Sequence, residues 1–257
     1  MNPMSLSGRN VMVTGAAQGI GLAITKAAID LGARVLMLDM NADQLEAAAT
    51  DLPRDRVRLA AASVTDAAEV QRIVEEAAAA WDGVHGLVNN AGISRPAMFD
   101  KMTIDQWNAV IAVHLTGAFY CTQAVGRVMI SRAKAGELID RSIVNISSDA
   151  GRQGTIGQVN YAVAKSGILG ATMSAAREWA RYGIRANSVA FGFVDTPMTE
   201  KLRTDEKLRE TYLARIPMAR WASAEEVAIP VCFLLSSAAS YITGQHLSVN
   251  GGSQMSA

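Results

Sequence analysis

The chain has 257 residues, half of them hydrophobic, with 24 Lys+Arg balanced by 24 Asp+Glu and only three histidines. That balance gives no electrostatic footing for nucleic acid or an anionic membrane, and no apolar run approaches the roughly 20 residues of a membrane span. The opening stretch MNPMSLSGRN lacks a basic and then apolar leader pattern, so the expectation is a soluble, cytoplasmic protein.

Residues 10–14 (NVMVT) read as a buried strand that runs into a glycine-rich turn and then a helix over 19–31. Gly15, Gly19 and Gly21 are spaced G-x-x-x-G-x-G. Glycines there let a backbone approach a pyrophosphate, and a helix N-terminus offers free N–H groups and a positive dipole end. A second strand, 33–39, ends in Asp39, placed where a carboxylate can hydrogen-bond an adenosine ribose. A 2′-phosphate facing Asp39 meets repulsion of about 4 kcal/mol per charge pair at 4 Å and an effective dielectric of 20. Neither Gln18 nor Met40 supplies a compensating cation, so NAD is expected rather than NADP. Asn41 and Asp43 lie nearer the helix at 43–50 and are better cap candidates than Asp39.

Further strands at 56–62, 84–90, 141–147, 185–190 and 245–250 alternate with helices at 66–80, 105–133, 158–181 and 224–236. Several strands are almost continuous apolar runs, the pattern of a parallel sheet covered on both faces. The alternation predicts an α/β fold: a doubly wound, mostly parallel seven-stranded sheet with helices on both faces. No linker, repeat or low-complexity tract divides the chain, so 1–257 reads as a single domain. The segment 191–216 breaks the alternation and reads as a substrate lid, with TDEKLRETYLAR as an amphipathic helix on it.

YAVAK places Tyr161 and Lys165 four apart, on one face of a helix. Proton exchange by a phenol near pH 7 requires about 4 kcal/mol, which an ammonium some 4 Å away supplies in a partly desolvated site. The pair therefore reads as a general acid/base and its electrostatic activator, although such a pair taken alone is usually a solvated surface pair. VNISSDAG ends a strand with two serines at the carboxyl edge of the sheet, where open α/β sheets bind ligands. A serine hydrolase is the rival reading, but no G-x-S-x-G elbow is present. Cys121 and Cys232 lie far apart in apolar segments and read as buried reduced thiols. His85 reads as a hydrogen-bonded structural residue, and His246 has no obvious acidic partner.

TGAAQGIG, NNAG (89–92), NISS…YAVAK and GFVDTPM together resemble the short-chain dehydrogenase/reductase family, in motif order, spacing and total length, from Gly8 to VNGG at 249–252. The resemblance implies a Rossmann-type domain that is both dinucleotide-binding and catalytic. It also implies a homotetramer and hydride transfer between a nicotinamide and a carbonyl/alcohol pair. By position, Thr14, Gly15, Gln18, Gly19, Ile20 and Gly21 would cradle the cofactor, and Asp39 would hold the adenosine ribose. Val64, Asn90, Ala91 and Gly92 would lie beside it. Gly192, Val194 and Thr196 would meet the nicotinamide end. Ser148, Tyr161 and Lys165 would be catalytic, Lys165 holding the nicotinamide ribose and depressing the tyrosine pKa, and Tyr161 would also meet the cofactor. Within the family, RIPMARWASAEEVA, SYITGQHLSVNGG and the HLTG helix most resemble 3-oxoacyl-carrier-protein reductases. Dehydrogenases of sugars, polyols or other secondary alcohols are the alternative, and a non-catalytic NAD-binding protein is the alternative of another class.

Three positions depart from the family pattern: Ser63 near the adenine, Phe191 in place of a proline, and His114 where the fourth catalytic residue is usually asparagine. That asparagine works largely through its main-chain carbonyl, so His114 reads as a core or supporting residue beside the proton path. Direct proton transfer is the alternative, and no ligand partners are spaced for a metal. The substrate wall is expected from 93–102, 149–157 and 191–216, with Arg95 and Arg152 as candidate contacts for an anionic group.

Overall fold

A computed structural model describes residues 2–255; Met1, Ser256 and Ala257 lie outside it. Seven strands, β1 (Asn10–Thr14), β2 (Arg34–Asp39), β3 (Val57–Ala61), β4 (Gly86–Asn89), β5 (Arg141–Ser148), β6 (Ile184–Phe191) and β7 (His246–Val249), form one sheet. The order is β3-β2-β1-β4-β5-β6-β7 and every pairing is parallel. Sheets of this kind are covered on both faces, and the alternation of side chains shows how. Val11, Val13, Val35, Met37, Val144 and Val189 pack with Ile24, Val227 and Val231 from α1 (Gly19–Asp30) and α10 (Ala224–Leu235). Met12, Leu36, Leu87 and Ile143 point the other way. They meet α3 (Ala67–Trp81), α5 (Ala118–Lys134) and α7 (Val159–Trp179) through residues such as Val74, Val125, Met129 and Ala175. Each fully buried Val, Leu, Ile or Met contributes on the order of 1.5–3 kcal/mol.

The helix starts have chemical causes. Asn41 caps α2 (Ala42–Ala49) by accepting from the Gln44 N–H, as expected of it, and Asp66 does the same for α3. Thr103/Gln106 and Ser223/Glu226 form capping boxes at α4 (Ile104–Ile111) and α10.

Two segments differ from expectation. The helix expected over 105–133 is interrupted by a π-helical turn, Ala112–Gly117. His114 is tied to Ile93 on one side of this turn. On the other, a Cβ on Gly117 would stand 2.6 Å from Val64, so the two contacts fix the bulge. Taken as one helical rod, Ile104–Lys134 is long and apolar enough to cross a membrane by length and composition, although polar residues interrupt every apolar run within it. In the fold it forms part of the helical layer against the sheet. The single lid helix becomes two, α8 (Glu200–Thr204) and α9 (Glu206–Leu213). Asp205 leaves the helical region at φ −82°, ψ 110° and caps α9 through the Leu208 N–H. A short α6 (Ala150–Gln153) follows β5.

Candidate active site

β1 pairs with β2 on one side and β4 on the other, so the chain reverses its direction of winding there. The crevice outside the carboxyl ends of such strands is where open α/β sheets take ligands. It is a cleft of about 400 Å³. Gly15 turns the chain at φ +65°, and a Cβ on it would lie 2.9 Å from the Ala91 Cα. A Cβ on Gly21 would fall 2.0 Å from the Gly15 carbonyl oxygen, so only glycine lets α1 start this close to the loop. Gln18 precedes α1 without a side-chain cap, and no acidic residue occupies the first turn. The helix therefore presents unpaired N–H groups at its start.

Of the expected cofactor residues, Gly15, Gln18, Gly19, Ile20, Asp39 and Val64 line this cleft, as do Asn90, Ala91, Gly92 and Thr196. Thr14, Gly21, Tyr161, Lys165, Gly192 and Val194 do not. Thr14 is buried and pins the neighbouring turn: its Oγ accepts from the Asn90 and Ala91 N–H groups, each at 3.0 Å. Gly21 serves close packing, Gly192 lies against Asn250, and Val194 is core. Ser63, expected near the adenine, and Met40, expected beside the ribose, line the cleft too, and Pro197 and Met198 reach it from the 191–216 segment. Open position, rather than residue type, puts them there.

Asp39 is held by two backbone donors, Ala17 N–H to Oδ2 and Asn41 N–H to Oδ1, each at 3.1 Å. Gln44 Nε2 donates to Gln18 Oε1 across the same mouth at 3.0 Å. No lysine or arginine lines the cleft among the described residues. A glycine-walled cleft, an uncapped helix start and a fixed carboxylate suit a nicotinamide dinucleotide.

Past the far end of the cleft, β5 delivers Ser148 and α7 delivers Tyr161 and Lys165. The Ala150 N–H donates to Ser148 Oγ at 3.2 Å, which fixes the oxygen and frees its proton to be donated elsewhere. Asn160 is buried and sets the start of α7. It donates to the carbonyls of Arg95 and Gln106 and accepts from the Tyr161 N–H. Lys165 is buried at 4% exposure, which excludes the reading of a solvated surface pair. Its Nζ donates to the Ile146 carbonyl at 2.6 Å and stands 5.6 Å from the centre of the Tyr161 ring.

Burial is the first influence on the titration of both partners. Burial pushes the Tyr161 phenol above its usual range, and the hydrogen bond with Ser148 draws it down. Burial lowers Lys165 to about 7, because the enclosed ammonium has given up water for a single carbonyl. Ser148 thus eases deprotonation of the phenol, with Lys165 close by.

His114 sits edge-on to Tyr161, ring centres 5.2 Å apart. Its Nε2 lies 2.9 Å from the Ile93 nitrogen and 2.8 Å from the Ile93 oxygen, whereas the buried Nδ1 has no partner. One nitrogen cannot donate and accept at once, so either tautomer satisfies only one of these contacts. Burial and the Lys165 charge depress its pKa to about 3, which keeps the imidazole neutral. Among the described residues no group of His, Cys, Asp and Glu is placed to hold a metal. Cys121 and Cys232 are buried thiols pushed up to about 12. His85 Nδ1 accepts from the Asn10 N–H, and His246 Nδ1 pairs with Ser188 Oγ.

A family model described as enoyl-(acyl carrier protein) reductase matches residues 15–254. The chain is 43% identical over 252 residues to the 3-oxoacyl-[acyl-carrier-protein] reductase FabG of Thermotoga maritima, covering 97% of this chain and 99% of the relative. It is 41% identical to an acetoacetyl-CoA reductase of Synechocystis, covering 98% of each. Among solved structures, a gluconate 5-dehydrogenase from Burkholderia cenocepacia in complex with NADP and tartrate superposes with a TM-score of 0.91 at 32% identity, covering 98% of this chain and 97% of that one. With a glycine-walled dinucleotide cleft leading to a serine, a tyrosine and a buried lysine, and with relatives of this kind along nearly its whole length, the chain belongs to the short-chain dehydrogenase/reductase family and is an NAD(P)-dependent oxidoreductase acting on a CH–OH group.

Proposed function

We propose that the protein interconverts a 3-oxoacyl and a 3-hydroxyacyl thioester with NAD(H), the whole chain acting as one catalytic unit beneath the lid at 191–216. The observation that carries the chemistry is the buried Lys165 beside the Ser148–Tyr161 pair. When bound, the nicotinamide supplies or accepts the hydride. Tyr161 exchanges a proton with the substrate oxygen, and Ser148 donates a hydrogen bond to that oxygen. Lys165 holds the nicotinamide ribose, and Gly15, Gly19 and the start of α1 hold the pyrophosphate. The thioester is favoured by the two relatives named above, and NAD by Asp39, whose two backbone donors hold it in the cleft mouth.

A sugar or polyol dehydrogenase is the second reading, favoured by the likeness to a gluconate 5-dehydrogenase bound to NADP. The deciding experiment follows NADH absorbance with acetoacetyl-CoA and with a panel of sugars, polyols and ketones, run with NAD(H) and NADP(H) in parallel. Turnover of the thioester with NADH supports the first reading. Exclusive turnover of polyols supports the second, and a strong preference for NADP(H) overturns the role given to Asp39. NADH binding without turnover anywhere in the panel makes the chain a nucleotide-binding protein without chemistry. A homotetramer working in the cytoplasm completes the proposal. Exposed Phe119 and Met173, on α5 and α7, suit helix faces shared between copies, and light scattering measures the mass.

A further inference from the structure

The residue after Ser148 is an acid that neither the cofactor cleft nor the proton path uses. Asp149 is only 7% exposed. Its two carboxylate oxygens accept from Asn250 Nδ2 at 3.1 and 2.9 Å and from Ser253 Oγ at 3.0 Å. Asn250 also organises its own turn, donating to the Gln254 carbonyl and accepting from the Gly252 N–H.

The same turn holds both roots of the lid. At the entry, the Gly192 N–H donates to the Val249 carbonyl at 3.2 Å, and a Cβ on Gly192 would meet Asn250 at 2.9 Å. At the exit, the Met218 N–H donates to the Gly251 carbonyl at 3.1 Å. Ile216 lies so close to Gly251, and Pro217 to Gly252, that added Cβ atoms would stand 2.8 and 3.0 Å from them. Both glycines hold positive φ, +62° and +87°, so the turn is built for this close fit.

We propose that Asp149 is a positioning residue. Its carboxylate fastens the C-terminal turn, residues 250–254, to the loop that carries Ser148, so that the serine hydroxyl and the two roots of the lid are held by one knot. Asp149 stands between Ser148 and Ala150, the residue whose N–H fixes the serine oxygen. A displacement of its backbone therefore re-aims the hydroxyl, and a misplacement of about 1 Å at a reacting group costs on the order of 100-fold in rate. The adenosine end, at Gln18 and Asp39, is built from other loops, whereas Thr196, Pro197 and Met198 of the lid line the cleft, so the knot acts on turnover, on the carbonyl substrate and on the nicotinamide half while leaving the affinity of the adenosine half alone. This rests on the catalytic assignment of Ser148 made above.

The test compares Asp149→Ala and Ser148→Ala with the wild-type protein by hydrogen exchange without ligands, by ADP titration, and by kinetics with the best substrate of the panel. Asp149→Ala is expected to speed amide exchange together in 148–153, at both lid roots and in 250–254, with residues 14–21 unchanged. Its kcat should fall about tenfold and its substrate KM rise, with the Kd for ADP, which probes the adenosine end alone, within about twofold. Should Asp149→Ala fail to fold, Ser253→Ala, which removes one donor, gives the same pattern more weakly. Exchange that rises only in 250–254, or turnover within about twofold of wild type, overturns the proposal. Full turnover by Ser148→Ala overturns the catalytic assignment instead, and the exchange pattern then still decides whether the knot exists.

Discussion

Replacing His114 by asparagine separates two roles of one side chain. The imidazole is 4% exposed, has one nitrogen facing Ile93 and leaves the other buried without a partner. Its pKa drops from 6.5 to about 3. A base whose folded pKa lies below its unfolded one binds more protons when unfolded, so its contribution to stability is complete above 6.5 and is lost as pH falls toward 3. Between pH 7.5 and pH 5 that loss amounts to about 2 kcal/mol, and its ceiling below pH 3 is about 5 kcal/mol. Asparagine does not titrate, and its amide carries a separate donor and acceptor for the Ile93 oxygen and nitrogen.

Urea unfolding at the two pH values is the assay. His114→Asn should lose about 2 kcal/mol less than the wild-type protein on acidification, which cancels the shared effect of the other two histidines, both also depressed by burial. At pH 7.5 its turnover should stay within a few-fold of wild type, because Tyr161, Lys165 and Ser148 are untouched. Parallel pH dependence of the two proteins would show that the imidazole protonates freely and that the buried, one-contact geometry is wrong. Loss of turnover as deep as that of a Tyr161 variant would show that the imidazole itself moves the proton.

Three further outcomes follow from the same geometry. Tyr161→Phe keeps the ring against His114 but removes the phenolic proton, so kcat should fall by about 10²–10⁴ with NADH affinity retained by titration. Asp39→Ser combined with Met40→Arg exchanges a fixed carboxylate for a cation on a residue 76% exposed in the cleft mouth. It should move the NADP/NAD ratio of kcat/KM upward by about 100-fold, while an unchanged ratio would remove Asp39 from the ribose site. Asp140→Asn breaks a two-pronged contact to the buried Arg185 at 3.0 and 3.1 Å. With the carboxylate a quarter exposed, it should cost about 2–3 kcal/mol in urea unfolding, with substrate KM unchanged.

The sheet was readable because its strands are continuous apolar runs: β1 has the expected bounds, and the other strands agree within two residues at each end. Motif spacing led to Ser148, Tyr161 and Lys165, since one strand end and one helix face suffice to bring them together. What spacing could not show was set by distant backbone. Thr14 has the motif position of a cofactor contact yet spends its hydroxyl on Asn90 and Ala91. The π turn around His114 depends on Ile93 and Val64, 21 and 53 residues from the groups they meet. Asp149 finds its partners more than 100 residues away, at Asn250 and Ser253. The sign of the electrostatics was also hidden. Four-residue spacing puts an ammonium near a phenol, but only the enclosure of Lys165 shows that the lysine is itself depressed.

The two ends of the sheet divide stability and reactivity between them. At the amino ends of β5 and β6, Arg141 and Arg185 are almost fully buried, yet Glu137 and Asp140 meet them, and Asp140 also meets Arg9. Removing one partner there leaves a charge without water or counterion, so these pairs resist change. At the carboxyl ends the reverse holds. Lys165 has one carbonyl for its ammonium, His114 has a nitrogen with no partner, and Tyr161 is raised by burial. Each is less stable than a well-solvated or apolar equivalent would be. Substitutions that relieve this end should therefore raise the unfolding free energy while lowering turnover, whereas substitutions at the amino ends should lower stability and leave kcat unchanged. A Lys165→Met variant that is more stable than wild type below pH 7 and inactive would show that the strain and the chemistry reside in the same group.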